Sequence, residues 1–141
     1  MSKQKSKPIP RWMSEHTRKC KSAFGLHDWR ITIARVPKLK RDGQTCAGFH
    51  TTVRRTLSSG IDYDAALRGD DFGYDVVTHE FLHVALIEPD IAFRRVLDFV
   101  PKKHKAHCQT LYTDAKEHTV EALARSITPV LRAVTNEGKK A

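Results

Sequence analysis

The sequence predicts an α+β domain in which a small sheet lies between helical segments. Three observations indicate this class: an amphipathic segment at 11–24, alternating apolar residues between 29 and 63, and helical patterns at 76–88 and 109–134. A chain of 141 residues, 40% of them hydrophobic, fits one domain with a modest core. We therefore expect a single domain over residues 11–141, preceded by a basic flexible tail at 1–10.

The first predicted element is a helix at 11–24, in which apolar and small side chains recur at three- and four-residue intervals. Gly25 is placed to end it. Three strand-like segments with alternating apolar positions follow, at 29–33, 49–53 and 57–63. Asp42 and Gly43 are a hairpin-turn signal between the first two. These segments predict a three- to four-stranded, mostly antiparallel or mixed sheet.

The second half of the chain is predicted to be mainly helical. An acidic loop at 64–74 leads to Asp75, which can cap a helix that ends near Glu88 because Pro89 disfavours its continuation. Residues 90–100 indicate a short helix or a buried turn, and 101–108 a basic connection. A final helix is expected over about 109–134, where Pro129 can introduce a kink, and residues 136–141 are expected to fray.

The strongest chemical signal lies in the helix that is predicted to end near Glu88, where residues 79–83 read H-E-F-L-H. His79 and His83 are four positions apart, so they lie about 40° apart around a helix axis and both imidazoles can reach one metal ion. Glu80 then lies beside that ion. Uncharged neighbours on both sides suit ligands that must be held by packing. The alternative is a buried helix whose polar groups find hydrogen-bond partners elsewhere.

A catalytic zinc ion takes three protein ligands and keeps a fourth position for water, so a further ligand has to come from another segment. Glu117 and Glu121 lie about 70° and about 110° from the centre of the apolar stripe of the last helix. Glu117 is then the better ligand, and Glu121 can hydrogen-bond a ligating histidine, although the reverse assignment stays open. The rival set is His104, His107 and Cys108, whose lysine neighbours place positive charge near a dication.

Residues 76–85 resemble the extended zincin signature, and Glu117 with Glu121 resembles the glutamate helix of gluzincins. The order of elements over about residues 11–134 is similar to that of minimal gluzincins and of small metallopeptidases encoded by phages and prophages. The resemblance implies a zincin-like fold, with an N-terminal helix, a small sheet, an active-site helix and a C-terminal glutamate helix. It also implies that His79, His83 and Glu117 bind one Zn²⁺ ion, that Glu80 is the general base, and that Glu121 orients a ligand.

The chain departs from the family pattern at Lys116, where an asparagine often stands, and in the long interval before Glu117. The oxyanion-stabilising His or Tyr of the larger enzymes has four candidate counterparts, which are His104, His107, Tyr112 and His118. SprT-like DNA-linked proteases, which use a third histidine as ligand, are a neighbouring family. The basic charge of the chain makes them an alternative to the gluzincin resemblance.

These residues favour a zinc-dependent metallopeptidase acting on a peptide or protein substrate. In this mechanism the ion activates a bound water, and Glu80 accepts its proton and passes it to the leaving amine. An exposed strand can hold an extended peptide by backbone pairing, and residues 56–61 are the candidate segment.

The net charge of +9 predicts attraction to polyanions, with basic residues concentrated at 3–11, 35–41 and 102–105. The alternative functions are therefore a nucleic-acid-binding protein with a structural zinc site of four protein ligands, or a SprT-like DNA-associated protease. The start of the chain has no secretion signal, and no apolar stretch approaches the ~20 residues that cross a bilayer. Three cysteines without C-x-x-C spacing fit a reducing compartment, so we expect a cytoplasmic protein with no membrane partner.

Overall fold

The computed structural model describes residues 8–134, which fold into helices packed around a small mixed sheet. The helices are α1 (Arg11–Ala23), α2 (Asp71–Ala85), α3 (Ile87–Asp98) and α4 (Lys102–Ala133). The strands are β1 (Arg30–Val36), β2 (Lys40–Arg41), β3 (Gln44–Thr45), β4 (Gly48–Val53) and β5 (Ser58–Asp64). A 3-10 turn, Arg54–Thr56, precedes β5. The predicted α+β class is confirmed.

Helix α1 forms where the amphipathic pattern predicts it, and it buries Met13, His16 and Cys20 against the rest of the fold. Gly25 follows the helix with a φ of +66°, a conformation that costs glycine little because it has no Cβ atom. The predicted helix and its glycine stop are therefore confirmed.

The main sheet has the strand order β1-β5-β4. Strand β5 pairs in parallel with β1, where Ile61 lies opposite Ile33, and antiparallel with β4, where Ile61 lies opposite His50. The sheet is therefore mixed, and not mostly antiparallel. The Asp42 and Gly43 signal does form a hairpin turn, but it joins β2 to β3 in a separate two-stranded ribbon within the connection from β1 to β4.

The expectation that residues 56–61 offer an exposed strand is wrong. Thr56 belongs to the 3-10 turn, and Ser58 begins β5, which is hydrogen-bonded on both sides. A strand paired on both sides has no free backbone groups for a peptide. The edge positions of this sheet belong to β1 and β4 instead.

Helix α2 begins earlier than predicted. Asp70, and not Asp75, is its N-cap residue, and the Asp70 Oδ1 atom accepts a hydrogen bond from the backbone N–H of Gly73 at 2.9 Å. Asp75 lies inside the helix. The predicted acidic loop thus ends in a capping carboxylate, which satisfies an otherwise free N–H group in the first turn.

The helix does not continue to Glu88, because α2 ends at Ala85 and α3 begins at Ile87. Pro89 consequently lies in the first turn of α3, where its missing N–H removes no intrahelical hydrogen bond. The segment 90–100 is therefore mostly helix rather than a buried turn.

Residues 101–108 are not a connection, since α4 already begins at Lys102. This helix extends without interruption past Pro129 and buries Val120, Ala124 and Leu131. Leu123 and Val134, which the sequence places on the apolar stripe of this helix, are exposed, so the buried stripe is narrower than predicted.

A buried hydroxyl joins three helices directly beside the H-E-x-x-H motif. Thr78 on α2 accepts a hydrogen bond from Thr128 on α4 at 2.9 Å and donates to the Tyr74 carbonyl at 3.0 Å. Its Oγ1 atom also lies 2.9 Å from Nε2 of His16 on α1. This network fixes the position of α2 between α1 and α4.

Positions 1–7 and 135–141 lie outside the described residues, so the predicted flexible tail and frayed C-terminus stay predictions except at Pro8 to Pro10, which precede α1. In the part of the chain that is described, no helix combines the length and apolar content needed to cross a bilayer.

Candidate metal centre

The two histidines of the motif lie on one face of α2, a single turn apart. Their Nε2 atoms are 3.0 Å from each other, and the two rings meet edge to face at 72°. The side chain of His83 is 5% exposed and that of His79 is 25% exposed. Both imidazoles therefore direct a nitrogen at the same point at the wall of a cleft.

The carboxylate of Glu117, from α4, completes this group. Its Oε2 atom lies 3.3 Å from Nε2 of His79, and its Oε1 atom lies 3.3 Å from Nε2 of His83. Val120 and Ala124, on the same side of α4, pack against Leu82 of α2. This packing brings Glu117 to the histidines, as the angle from the apolar stripe predicts.

The separations allow these three side chains to hold one metal ion. Bonds of about 2.0–2.1 Å in a tetrahedral site place neighbouring ligand atoms about 3.3–3.4 Å apart. Here the two Nε2 atoms are 3.0 Å apart, and each lies 3.3 Å from a different oxygen of Glu117, so both carboxylate oxygens face the histidines. With one ligand atom taken from each residue, all three lie within 4.8 Å of one another. Two imidazoles and one carboxylate are also the donor set of a catalytic zinc site with one open position. His79, His83 and Glu117 are the one such group found among residues 8–134.

Hydrogen bonds from His79 and His83 lower the pKa of the Glu117 carboxyl well below its usual range. Burial tends to lower the pKa of His79, but hydrogen bonding to Glu117 and the charges of nearby carboxylates raise it above its ordinary value overall. Glu117 is therefore ionised at neutral pH, which is the state in which a carboxylate binds a metal ion.

Glu80 lies between α2 and the start of β4 and is 6% exposed. A Cβ atom added to Gly48 would lie 2.8 Å from Cγ and 2.9 Å from Oε1 of Glu80, so the glycine provides the space in which this carboxylate sits. Burial raises the pKa of Glu80, while His83 and His79 oppose the increase. A buried carboxylate with a raised pKa has the properties of a general base.

One further residue at the centre, His50 on β4, is absent from the sequence prediction. Its ring stacks on that of His83 with centroids 4.8 Å apart and planes 13° apart. Its Nδ1 atom lies 3.0 Å from the Thr52 hydroxyl, and burial lowers its pKa to about 4, so the imidazole is neutral. Gly48, His50 and Thr52 form one face of β4, and the apolar positions from which the strand is predicted form the other face. This alternation is the signal in the sequence that could have identified His50.

A second polar cluster ties α3 to α4 beside the centre. Asp90 is 8% exposed and accepts hydrogen bonds from the Tyr112 hydroxyl at 2.7 Å and from the Lys116 ammonium at 3.0 Å. The Tyr112 ring stacks on Phe93 with centroids 3.9 Å apart. The Asp90–Lys116 pair therefore attaches α3 to α4 at the residue before Glu117. The Tyr112 hydroxyl is directed to Asp90 and not to the histidines, which argues against the predicted role of Tyr112 in stabilising an oxyanion.

The remaining candidates do not join the ligand atoms. Glu121 lines a neighbouring pocket together with His79 and Glu80, but its carboxylate pairs with Arg125 one turn further along α4 and not with a histidine as predicted. His104 and His107 occupy the first turns of α4, about 20 Å and about 15 Å along the axis from Glu117. Cys108 follows them, and His118 is exposed. The rival His104, His107 and Cys108 set is therefore remote from the centre.

Comparison with known proteins adds no relative, since no family model, no curated protein and no solved structure matches the chain. The function proposed below is therefore inferred from the geometry of the described residues.

Proposed function

We propose that the protein is a zinc-dependent peptidase with a zincin-like fold. The observation that supports this most strongly is the convergence of His79, His83 and Glu117 at separations suited to one tetrahedral ion, with buried Glu80 beside them. The order of elements, with a helix, a sheet, the motif helix and a helix carrying a glutamate, also agrees with the gluzincin resemblance.

The residues would divide the chemistry between them. When bound by His79, His83 and Glu117, zinc supplies a Lewis acid that polarises a carbonyl group and acidifies water. The Glu80 carboxylate accepts the proton of the attacking water at an Oε atom and delivers it to the leaving amine nitrogen as the C–N bond breaks. The raised pKa of Glu80, caused by burial, brings this proton transfer closer to balance at neutral pH.

Strand β4 is the best place for an extended substrate. It has one free edge in the three-stranded sheet, and Gly48 and His50 place it directly against Glu80 and His83. A peptide pairing with this edge by backbone hydrogen bonds would lie along the cleft that contains the three candidate ligands.

The alternatives receive less support from this geometry. A structural zinc site is closed by four protein ligands, whereas three ligand atoms meet among residues 8–134. The third group is a carboxylate, and not the histidine that a SprT-like protease uses. Nucleic-acid binding stays a prediction from the charge of +9.

The test is a Glu80→Gln variant of the zinc-loaded protein. We expect zinc content to stay at the wild-type value, because the ligands remain, while hydrolysis of internally quenched peptides falls about 10²–10⁴-fold with the loss of the base. Glu15→Gln, on α1 and remote from the centre, is the matched control and should leave both quantities unchanged. A wild-type protein without zinc affinity, or full hydrolysis by Glu80→Gln, would refute the proposal.

A further inference from the structure

The charges of the cleft indicate which peptides it favours, an inference that rests on the proposed peptidase function. The cleft has a volume of about 680 Å³, and its walls come from β2, β4, α2, α3 and α4. Its acidic members are Glu80, Asp90 and Glu117, and its basic members are Arg41, Arg94 and Lys116.

The acidic side chains are already committed. Glu117 contacts both histidines, and Asp90 accepts hydrogen bonds from Tyr112 and Lys116. Glu80 lines the cleft but is only 6% exposed, and its carboxylate lies against Gly48. Since Lys116 is neutralised by Asp90 at 3.0 Å, the charges that remain for a substrate belong to two arginines.

Arg41 is held over the start of β4. Its guanidinium carbon lies 4.3 Å from the centre of the Phe49 ring, an arrangement that orients the group without neutralising it. Its acidic contact is its own chain neighbour, Asp42, at 3.7 Å. The side chain of Asp42 is 93% exposed, and such an exposed pair contributes little.

Arg94 faces the cleft from α3, one helical turn after Asp90 and therefore on the same side of the helix. Within residues 8–134 it forms no ion pair with an acidic side chain. A guanidinium in this position presents paired N–H donors, which match the two oxygens of a carboxylate.

We infer that Arg41 and Arg94 make the cleft selective for peptides that carry an aspartate or glutamate near the bond to be cleaved. The two arginines line the cleft from different elements, Arg41 from β2 and Arg94 from α3, so a peptide lying along β4 in this cleft would have both guanidinium groups among its neighbours. A basic side chain at the same position would meet like charge, which disfavours its binding.

The test compares quenched peptides that differ at one position on either side of the cleaved bond, with Asp, Asn, Lys or phosphoserine there. For the zinc-loaded wild type we expect kcat/KM to be about two- to fivefold higher with Asp than with Asn, and lowest with Lys. The Asp preference should shrink at 0.5 M salt, because the arginines are accessible to solvent ions. A preference confined to phosphoserine would overturn the carboxylate assignment.

Charge-reversal variants test whether the two arginines cause the preference for Asp. Arg94→Glu and Arg41→Glu should each reduce the Asp preference, and the double variant should favour Lys. Arg95→Glu is the matched control, because it makes the same charge change on the next residue of α3, outside the cleft lining. An equal loss of preference in Arg95→Glu would show that net charge steers the peptides, and the inference would be wrong.

A binding measurement separates this inference from the peptidase proposal. Fluorescence anisotropy with the Glu80→Gln protein measures peptide affinity without turnover, and the same order of Asp, Asn and Lys is expected. If the wild type cleaves nothing but this order holds, the peptidase proposal fails and the selectivity stands. If all peptides bind or react equally, the selectivity is refuted whatever the fate of the peptidase proposal.

Discussion

Gly48→Ala is the sharpest test of the role of Glu80, because it moves the carboxylate without changing its chemistry. The added methyl group would lie 2.8 Å from Cγ and 2.9 Å from Oε1 of Glu80. Favourable contacts between such atoms begin at about 3.5 Å, so the side chain has to move by about 0.6 Å or more. Glu80 is 6% exposed and has little space into which to move.

The expected result is a loss of catalysis with the metal retained. A misplacement of about 1 Å in a catalytic group can reduce the rate about 10²-fold, so we expect a fall in kcat of that order. Overpacking of this kind also costs about 1–3 kcal/mol of stability, which lowers Tm by several degrees. The three atoms nearest to the added Cβ all belong to Glu80 and none to the candidate ligands His79, His83 and Glu117, so zinc content should be unchanged.

The assay combines peptide hydrolysis at saturating substrate, zinc analysis and thermal unfolding. Gly60→Ala is the matched control, since Gly60 lies in the same sheet and an added Cβ atom would meet nothing within 4 Å. Wild-type kcat in a folded Gly48→Ala protein would show that the position of Glu80 against β4 is irrelevant to the reaction. Loss of zinc together with activity would show that the methyl group disturbs the ligands instead.

Three other changes test the surroundings of the centre. In zinc titrations, Glu117→Ala should weaken affinity about 10²-fold or more while Glu121→Ala changes it less than about threefold, and the opposite order would move the third ligand. Asp90→Asn leaves the ammonium beside the glutamate unpaired and should weaken zinc affinity about tenfold; unchanged affinity with a lower Tm would assign Asp90 a purely structural role. Burial lowers the pKa of His16 to about 4 from an ordinary 6.5, so the unfolded chain binds the extra proton first as pH falls. His16 should therefore contribute a loss of about 3 kcal/mol in the free energy of unfolding of metal-free protein between pH 6.5 and 4, in addition to the loss caused by His50. In denaturant unfolding the total loss should be smaller by about this amount in His16→Gln and unchanged in the exposed control His27→Gln.

The parts of the structure that the sequence predicts well depend on local geometry. Histidines four residues apart share a helix face in any helix, so the convergence of His79 and His83 follows from their spacing. The choice of Glu117 over Glu121 as neighbour of the histidines follows in the same way from the angle to the apolar stripe of one helix.

The parts that it predicts poorly depend on long-range pairing. The central place of β5 is set by parallel pairing with β1, and a pattern of alternating residues does not specify a neighbour or its direction. The roles of His50 and Gly48 could not be predicted for the same reason. The sequence does not show which face of β4 packs against α2, and that depends on how the sheet is assembled. The helix end predicted from Pro89 is wrong for a different reason. Proline disfavours the continuation of a helix, but it is also favoured in the first turn of a new one.

The hydroxyl of Thr78 has a consequence for how small this domain can become. A fragment starting after α1 would still contain every candidate ligand. It would lack His16, however, which contacts the Thr78 hydroxyl directly before His79 in the buried hydrogen-bond network. It would also uncover the apolar surface that Met13 and Cys20 now shield. The shortest autonomous unit therefore begins at α1, and any transplant of the motif into a new scaffold must bring that helix with it.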